Sequence, residues 1–112
     1  MAEPVMNRSL VLEAPVKVAD GAGGYARTWE PLGVLWAEVK AMTGREVLAG
    51  QAARSRVPLK ITVRAAPYGA LSRPKAGQRF VEGTRVFNIL AVSEAGDHAQ
   101  FLTCHADEEV AP

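Results

Sequence analysis

The side chains in this sequence with the most obvious chemistry are two histidines and a single cysteine. Cys104 and His105 are adjacent, and neighbouring side chains on a strand point to opposite faces, so these two cannot act together as nucleophile and base. His98 and His105, with Asp97 and Asp107, are of the right types to bind a metal, but the chain has no closely spaced Cys or His motif. We therefore expect no catalytic residues, no metal site, no cofactor and no enzyme activity.

The glycines of DGAGG, residues 20–24, resemble a phosphate-binding loop superficially. No GK[ST] motif follows them, and the flanking residues predict strands, which offer no helix N-terminus to hold a phosphate. A hairpin turn is the better interpretation.

Basic residues cluster in or beside two segments without strand periodicity, 44–56 and 66–78. They are Arg45, Arg54, Arg56, Arg73, Lys75 and Arg79. One interpretation is a solvated surface, and the other is contact with DNA phosphates or with another subunit. The net charge is +1, so any contact with nucleic acid must be local.

The composition predicts one globular domain, residues 1–112. Of the 112 residues, 48% are hydrophobic and 22% are charged, which is ordinary globular usage, and we expect an ordered core of about 8–106 with flexible ends. The N-terminal residues lack the features of a secretory signal, and no apolar run approaches the roughly 18 residues of a membrane span. These features predict a soluble, cytoplasmic product without a membrane partner.

The sequence predicts that strands carry these side chains, because apolar residues recur most clearly at every second position. Apolar residues alternate with polar ones in residues 9–20 and, most sharply, in VPLKITVRA at 57–65. Further strands are predicted at 25–29, 35–42, 79–82, 85–92 and 98–106, with Gly83 and Thr84 as a two-residue hairpin connection. Pro15 indicates an edge or a bulge. Residues 44–56 suit a short helix or an ordered loop.

The predicted fold class is mainly β, a small barrel or sandwich of five to seven short antiparallel strands with one short helix or long loop. The segment 66–78 holds two prolines and two glycines, and a loop of that length in so small a domain is functional or mobile.

Five motifs occur in a recognisable order. They are LWAEV with Trp36, GREV with Gly44 and Glu46, ITVR at 61–64, RVFNILAV at 85–92 and FLTC at 101–104. Their order and spacing resemble the head-tail joining proteins of long-tailed bacteriophages and gene transfer agents, also called head-closure or stopper proteins. The resemblance covers roughly residues 8–105, although the connection between ITVR and QRFVEG looks a few residues longer than the family pattern.

The resemblance implies a structural virion protein that forms a ring of six or twelve copies. The ring would lie between the portal or adaptor and the tail terminator or tail tube, would close the head after DNA packaging, and would provide the surface to which the tail attaches. Double-stranded DNA would pass through its channel with weak contact. The protein would be made in the host cytoplasm and then reside in the neck of the particle.

The resemblance also implies that residues 44–56 or 66–78 contain the loop that lines the channel or contacts a neighbour. The candidate residues are Arg45, Glu46, Arg54, Arg56, Tyr68, Arg73, Lys75 and Arg79. Trp36 is either packed beneath a loop or an anchor in an interface, since Trp is favoured in both settings.

Four alternatives belong to other classes of protein or to other neck positions. A barrel that binds single-stranded nucleic acid would need several aromatic side chains on one polar face, and no strand has two there. An enzyme would need the missing catalytic constellation. The adaptor at the portal would show long helical periodicity, and the tail terminator is the remaining neighbouring ring.

Overall fold

The strands close into one ring. The computed structural model describes residues 4–42, 56–96 and 99–109. Its strands are β1 (Arg8–Ala19), β2 (Tyr25–Ala41), β3 (Arg56–Arg64), β4 (Arg79–Glu82), β5 (Arg85–Ala95) and β6 (Phe101–Glu109). All pairings are antiparallel, in the order β1-β2-β3-β6-β5-β4 around a closed barrel. The predicted mainly β fold is confirmed.

The core follows from the alternation in the sequence. Inward positions of β1, β3 and β6 supply Leu10, Leu12, Ile61, Val63, Leu102 and Cys104, all fully buried. Phe80 of β4 and Phe87 of β5 lie opposite each other and are also fully buried. Fully burying a side chain of this size contributes about 1.5–3 kcal/mol, so these period-two stripes hold the barrel together. The predicted inward orientation of Cys104 is confirmed.

The sequence-based division of residues 25–42 into two strands is wrong. β2 runs continuously through Pro31, because the register with β1 shifts at this point: Leu12 pairs with Gly33, whereas Glu13 pairs with Pro31. Leu32 is thereby left over as the extra residue of a bulge. Proline is tolerated beside a bulge and on an edge, where no ladder hydrogen bond from its nitrogen is needed.

The predicted turn at Gly83 and Thr84 is confirmed. Glu82 pairs with Arg85 across it, and Gly83 has a φ of 61°, a left-handed conformation that glycine adopts without steric cost. The last strand lies three residues later than predicted, at Phe101–Glu109. Most of the segment proposed as a helix or loop, residues 44–56, lies outside the described residues, and Arg56 begins β3.

One part of the sheet extends beyond the barrel. β1 pairs with β4 only at Val11–Glu13, and β2 pairs with β3 only at Ala37–Ala41. Residues 14–19 of β1 and 25–30 of β2 therefore pair only with each other. We call this two-stranded projection, with its turn at residues 20–24, the arm. Pro15 lies in the arm and hence on an edge, as the sequence indicated.

Candidate interaction surfaces

An open apolar groove lies beside the end of β2. Its volume is about 450 Å³, and it is lined by Met6, Leu35, Trp36, Arg64, Ala65, Ala66 and Ser72. We call it the Trp36 groove. Trp36 points away from the core and is 61% exposed, whereas the neighbouring Leu35 and Ala37 face inward. This exposure leaves the Trp36 ring available for contact with a partner.

The loop between β3 and β4, residues 65–78, is tied down by its own side chains. The guanidinium carbon of Arg73 lies 3.8 Å from the centroid of the Tyr68 ring, and Nη1 of Arg73 donates a hydrogen bond of 2.8 Å to the carbonyl of Ala66. Pro74 is fully buried. Arg73 therefore holds the loop's shape, while Tyr68 and Leu71 are 82% and 69% exposed and available to a partner.

Arg79 is the first residue of β4, at the start of the strand predicted for 79–82, and its side chain is engaged on two sides. Its Nε donates a hydrogen bond of 2.7 Å to Oε1 of Glu13, and its guanidinium carbon lies 4.1 Å from the centroid of the Trp29 ring. Arg27 approaches the same ring at 6.0 Å. Because Glu13 and Trp29 stand at the base of the arm, Arg79 joins the arm to the barrel. Neither Glu13 nor Trp29 was a candidate from the sequence.

The remaining basic candidates divide between described and undescribed residues. Lys75 lies in the β3–β4 loop, where its backbone nitrogen donates to Oε1 of Gln78 at 3.0 Å and its side chain is exposed. Arg45, Glu46 and Arg54 lie outside the described residues, and of Arg56 the structure describes the backbone only. The predicted basic patch is therefore not assembled by the described members, since Arg73 and Arg79 are used within the fold.

Four charged residues of alternating sign form a network near the start of β1 and the turn between β4 and β5. Arg8 donates from Nε and Nη2 to both carboxylate oxygens of Glu82, and Arg85 does the same to Glu108 at 2.7 and 3.0 Å. Nη1 of Arg85 lies 3.7 Å from Oε1 of Glu82, which joins the two pairs. The hydrogen bonds from Arg8 and Arg85 lower the pKa of Glu82 and Glu108, respectively. No local sequence signal indicated this network.

Among the described residues, those with the most reactive chemistry do not converge on a metal or thiol site. Cys104 is fully buried, and desolvation raises the pKa of its thiol to about 12, so the thiolate is not populated near neutral pH. His98 and Asp97 lie outside the described residues. Within residues 4–42, 56–96 and 99–109, no three His, Cys, Asp or Glu side chains converge to hold a metal ion. The same ranges contain no helix that is long and apolar enough to cross a membrane.

The described surface presents large exposed apolar side chains, among them Trp36, Tyr68 and Leu71, and a sequence comparison shows the family to which the chain belongs. Residues 1–109 match the phage head completion protein family. The chain belongs to this family. Membership confirms the resemblance to head-tail joining proteins and the expectation of a structural protein of the head-tail neck.

Solved structures that are similar to this chain include two that differ widely in sequence identity to it. A chain from the virion of a native gene transfer agent particle is 47% identical to it with a TM-score of 0.78, covering 97% of this chain and 100% of that one. Protein SF1141 of Shigella flexneri 2a is 21% identical with a TM-score of 0.71 over 96% of each chain, a likeness that shows the fold alone. A comparison with curated proteins found no match.

Proposed function

We infer that this protein is a ring subunit in the neck of a phage or gene transfer agent particle. The ring closes the head after DNA packaging and provides the surface to which the tail attaches. The observation that carries this proposal is the 47% identity, over 97% of the chain, to a chain of a gene transfer agent virion. The likeness extends over the full length of that chain.

The surface chemistry supports a role in assembly rather than catalysis. Exposed apolar side chains occur on separate elements, namely Val34 and Trp36 on β2, Tyr68 and Leu71 on the β3–β4 loop, and Tyr25 on the arm. A subunit that contacts several neighbours needs several such patches, whereas an isolated monomer rarely carries them. The one reactive thiol is buried, which removes the best candidate nucleophile.

The two candidate loops suit different tasks in such a ring. In the β3–β4 loop Arg73 is held by Tyr68 and Ala66, which leaves apolar side chains on its surface and favours contact with a neighbouring subunit. The segment 44–56 carries Arg45, Arg54 and Arg56, which favours transient contact with DNA phosphates in the channel. The net charge of +1 keeps the whole subunit from holding DNA tightly, so the DNA can pass.

The test is electron microscopy of particles from cells in which the gene is deleted, beside the same cells complemented with the wild-type gene. We expect separate capsids, many without DNA, and complete free tails, all restored by complementation. Tailed particles with full heads would contradict the proposal. Tails of irregular length would instead point to a tail terminator.

A further inference from the structure

The arm ends in a tip whose shape is set by Asp20. Its Oδ1 accepts hydrogen bonds from the backbone nitrogens of Ala22 and Gly24, at 2.8 and 3.1 Å, and its own nitrogen donates to the carbonyl of Gly24 at 3.1 Å. The first two bonds lower the pKa of the Asp20 carboxyl group, which is therefore ionised at neutral pH. Its second oxygen, Oδ2, accepts no hydrogen bond from the described residues, so the tip presents a negative charge.

The base of the arm is fixed to the barrel, whereas the tip is free of it. Arg79 binds Glu13 and lies over Trp29, and these contacts set the direction in which the arm projects. Beyond Trp29 the exposure rises: Val18 is 45% and Tyr25 is 72% exposed. A two-stranded ribbon is at best marginally stable alone in water, so a projecting ribbon with apolar side chains calls for a partner.

The Trp36 groove has the complementary chemistry. It is apolar along Met6, Leu35 and Trp36 and carries one cation, Arg64, which is exposed. Arg64 forms no ion pair with any described residue. The turn at the tip, residues 20–24, therefore offers an anion beside the apolar Val18 and Tyr25, whereas the cations of the arm, Lys17 and Arg27, lie on its strands outside the turn. The groove offers an apolar lining and a cation.

We propose that the arm of one copy docks in the Trp36 groove of the next copy, with Asp20 facing Arg64. The proposal rests on the proposed function, because it assumes a ring of identical subunits. Arm and groove are different surfaces of the same chain, so the contact can repeat head to tail, and repetition of such a heterologous contact closes a ring when the rotation allows. Six paired residues span about 20 Å, which is enough for the arm to reach onto an adjacent barrel.

The experiment places one cysteine at the tip and one in the groove, as Ala22→Cys and Ala65→Cys in one chain. Both alanines are exposed, so neither substitution disturbs the core. The native Cys104 is buried with its pKa raised to about 12, so it stays unreactive while the new thiols are oxidised. Purified particles carrying the variant are treated with a mild thiol oxidant and analysed by non-reducing electrophoresis.

The expected result is a ladder of covalent multimers that continues beyond the dimer. An isologous contact would instead stop at dimers, because both disulfides would join the same two chains. The matched control combines Ala22→Cys with Ala91→Cys, since Ala91 is also exposed but lies on β5 away from the groove, and it should give no ladder.

The outcomes separate this proposal from the proposed function. If the chain is present in particles but remains monomeric, stops at dimers or links to a different neck protein, the docking proposal is overturned and the neck function stands. A ladder of equal extent in the Ala91→Cys control would also overturn it. If the chain is absent from the particles, both proposals fail together.

Discussion

The guanidinium carbon of Arg79 lies 4.1 Å from the centroid of the Trp29 ring, while its Nε donates to Glu13 at 2.7 Å. This pair of contacts joins the first residue of β4 to Glu13, the residue of β1 that precedes the arm, and to Trp29 within the arm. A cation that is both paired with a carboxylate and stacked on an aromatic ring is held in one orientation. The arm accordingly leaves the barrel in a defined direction, as a docking element must.

Replacing Arg79 with alanine should destabilise the protein, because Glu13 loses its partner and Trp29 loses its covering cation. With side chains only 22% and 18% exposed in the ion pair, we expect the free energy of unfolding to fall by about 1–2 kcal/mol. Urea denaturation of the wild-type and variant proteins measures this change in the free energy of unfolding. Arg27→Ala is the control, since Arg27 lies 6.0 Å from the same ring and is exposed, and should cost under about 0.5 kcal/mol. Equal losses in the two variants would contradict the assignment.

The network of Arg8, Glu82, Arg85 and Glu108 predicts a loss of stability in acid. The folded-state pKa values of Glu82 and Glu108 are lowered, so the unfolded chain binds protons at higher pH than the folded one. Their contribution is complete above the unfolded glutamate pKa of about 4.3 and is lost as the pH falls through the lower folded values. Unfolding measured between about pH 6 and pH 3 should show the decline.

The control for this pH dependence is a comparison of glutamine variants. Glu82→Gln and Glu108→Gln should flatten the acid limb of the stability curve. Glu94→Gln, at an exposed position with no ion pair to a described residue, should leave it unchanged. If all three variants behave alike, the network does not govern acid stability.

Cys104 should behave as a buried apolar residue rather than as a thiol. We expect negligible reaction with a thiol reagent at pH 8 in the native protein, and reaction of one thiol per chain after unfolding in guanidinium. Cys104→Ala should cost about 1 kcal/mol through lost packing, whereas Cys104→Ser adds an unpaired hydroxyl and should cost about 1–3 kcal/mol more. Rapid labelling of the folded protein would refute this description.

Trp36 should matter for assembly and hardly at all for folding. Because it is 61% exposed, Trp36→Ala should change the free energy of unfolding by less than about 0.5 kcal/mol. The fraction of tailed, DNA-filled particles should nevertheless fall several-fold, since truncating an aromatic anchor in an interface commonly costs about 2 kcal/mol or more. Leu90→Ala is the control, an apolar side chain that is 53% exposed and lies outside the Trp36 groove. Similar particle yields for the two variants would argue against an interface at Trp36.

Period-two patterning in the sequence determined which residues fill the barrel. Glycine in short connections determined where a tight turn falls. Leu10, Ile61 and Cys104 are buried because alternation commits each strand to an apolar face, and Gly83 marks a turn because only the local backbone is involved. The order of motifs likewise indicated the family, since a sequence match needs no coordinates. These properties depend on residues that are neighbours along the chain.

The tertiary structure decided which distant residues meet. Arg8 binds Glu82 across 74 residues, and Arg79 meets Glu13 across 66, a contact that the position of Arg79 beside the segment 66–78 did not indicate. β2 continues through Pro31 because the register shift against β1 accommodates it, which a local proline signal cannot reveal. Cross-strand partners depend on the register of each pairing and on the spatial order of the strands around the barrel. The pattern of a single strand specifies neither. The arm exists for the same reason: β1 and β2 extend beyond the residues at which they pair with β4 and β3, respectively.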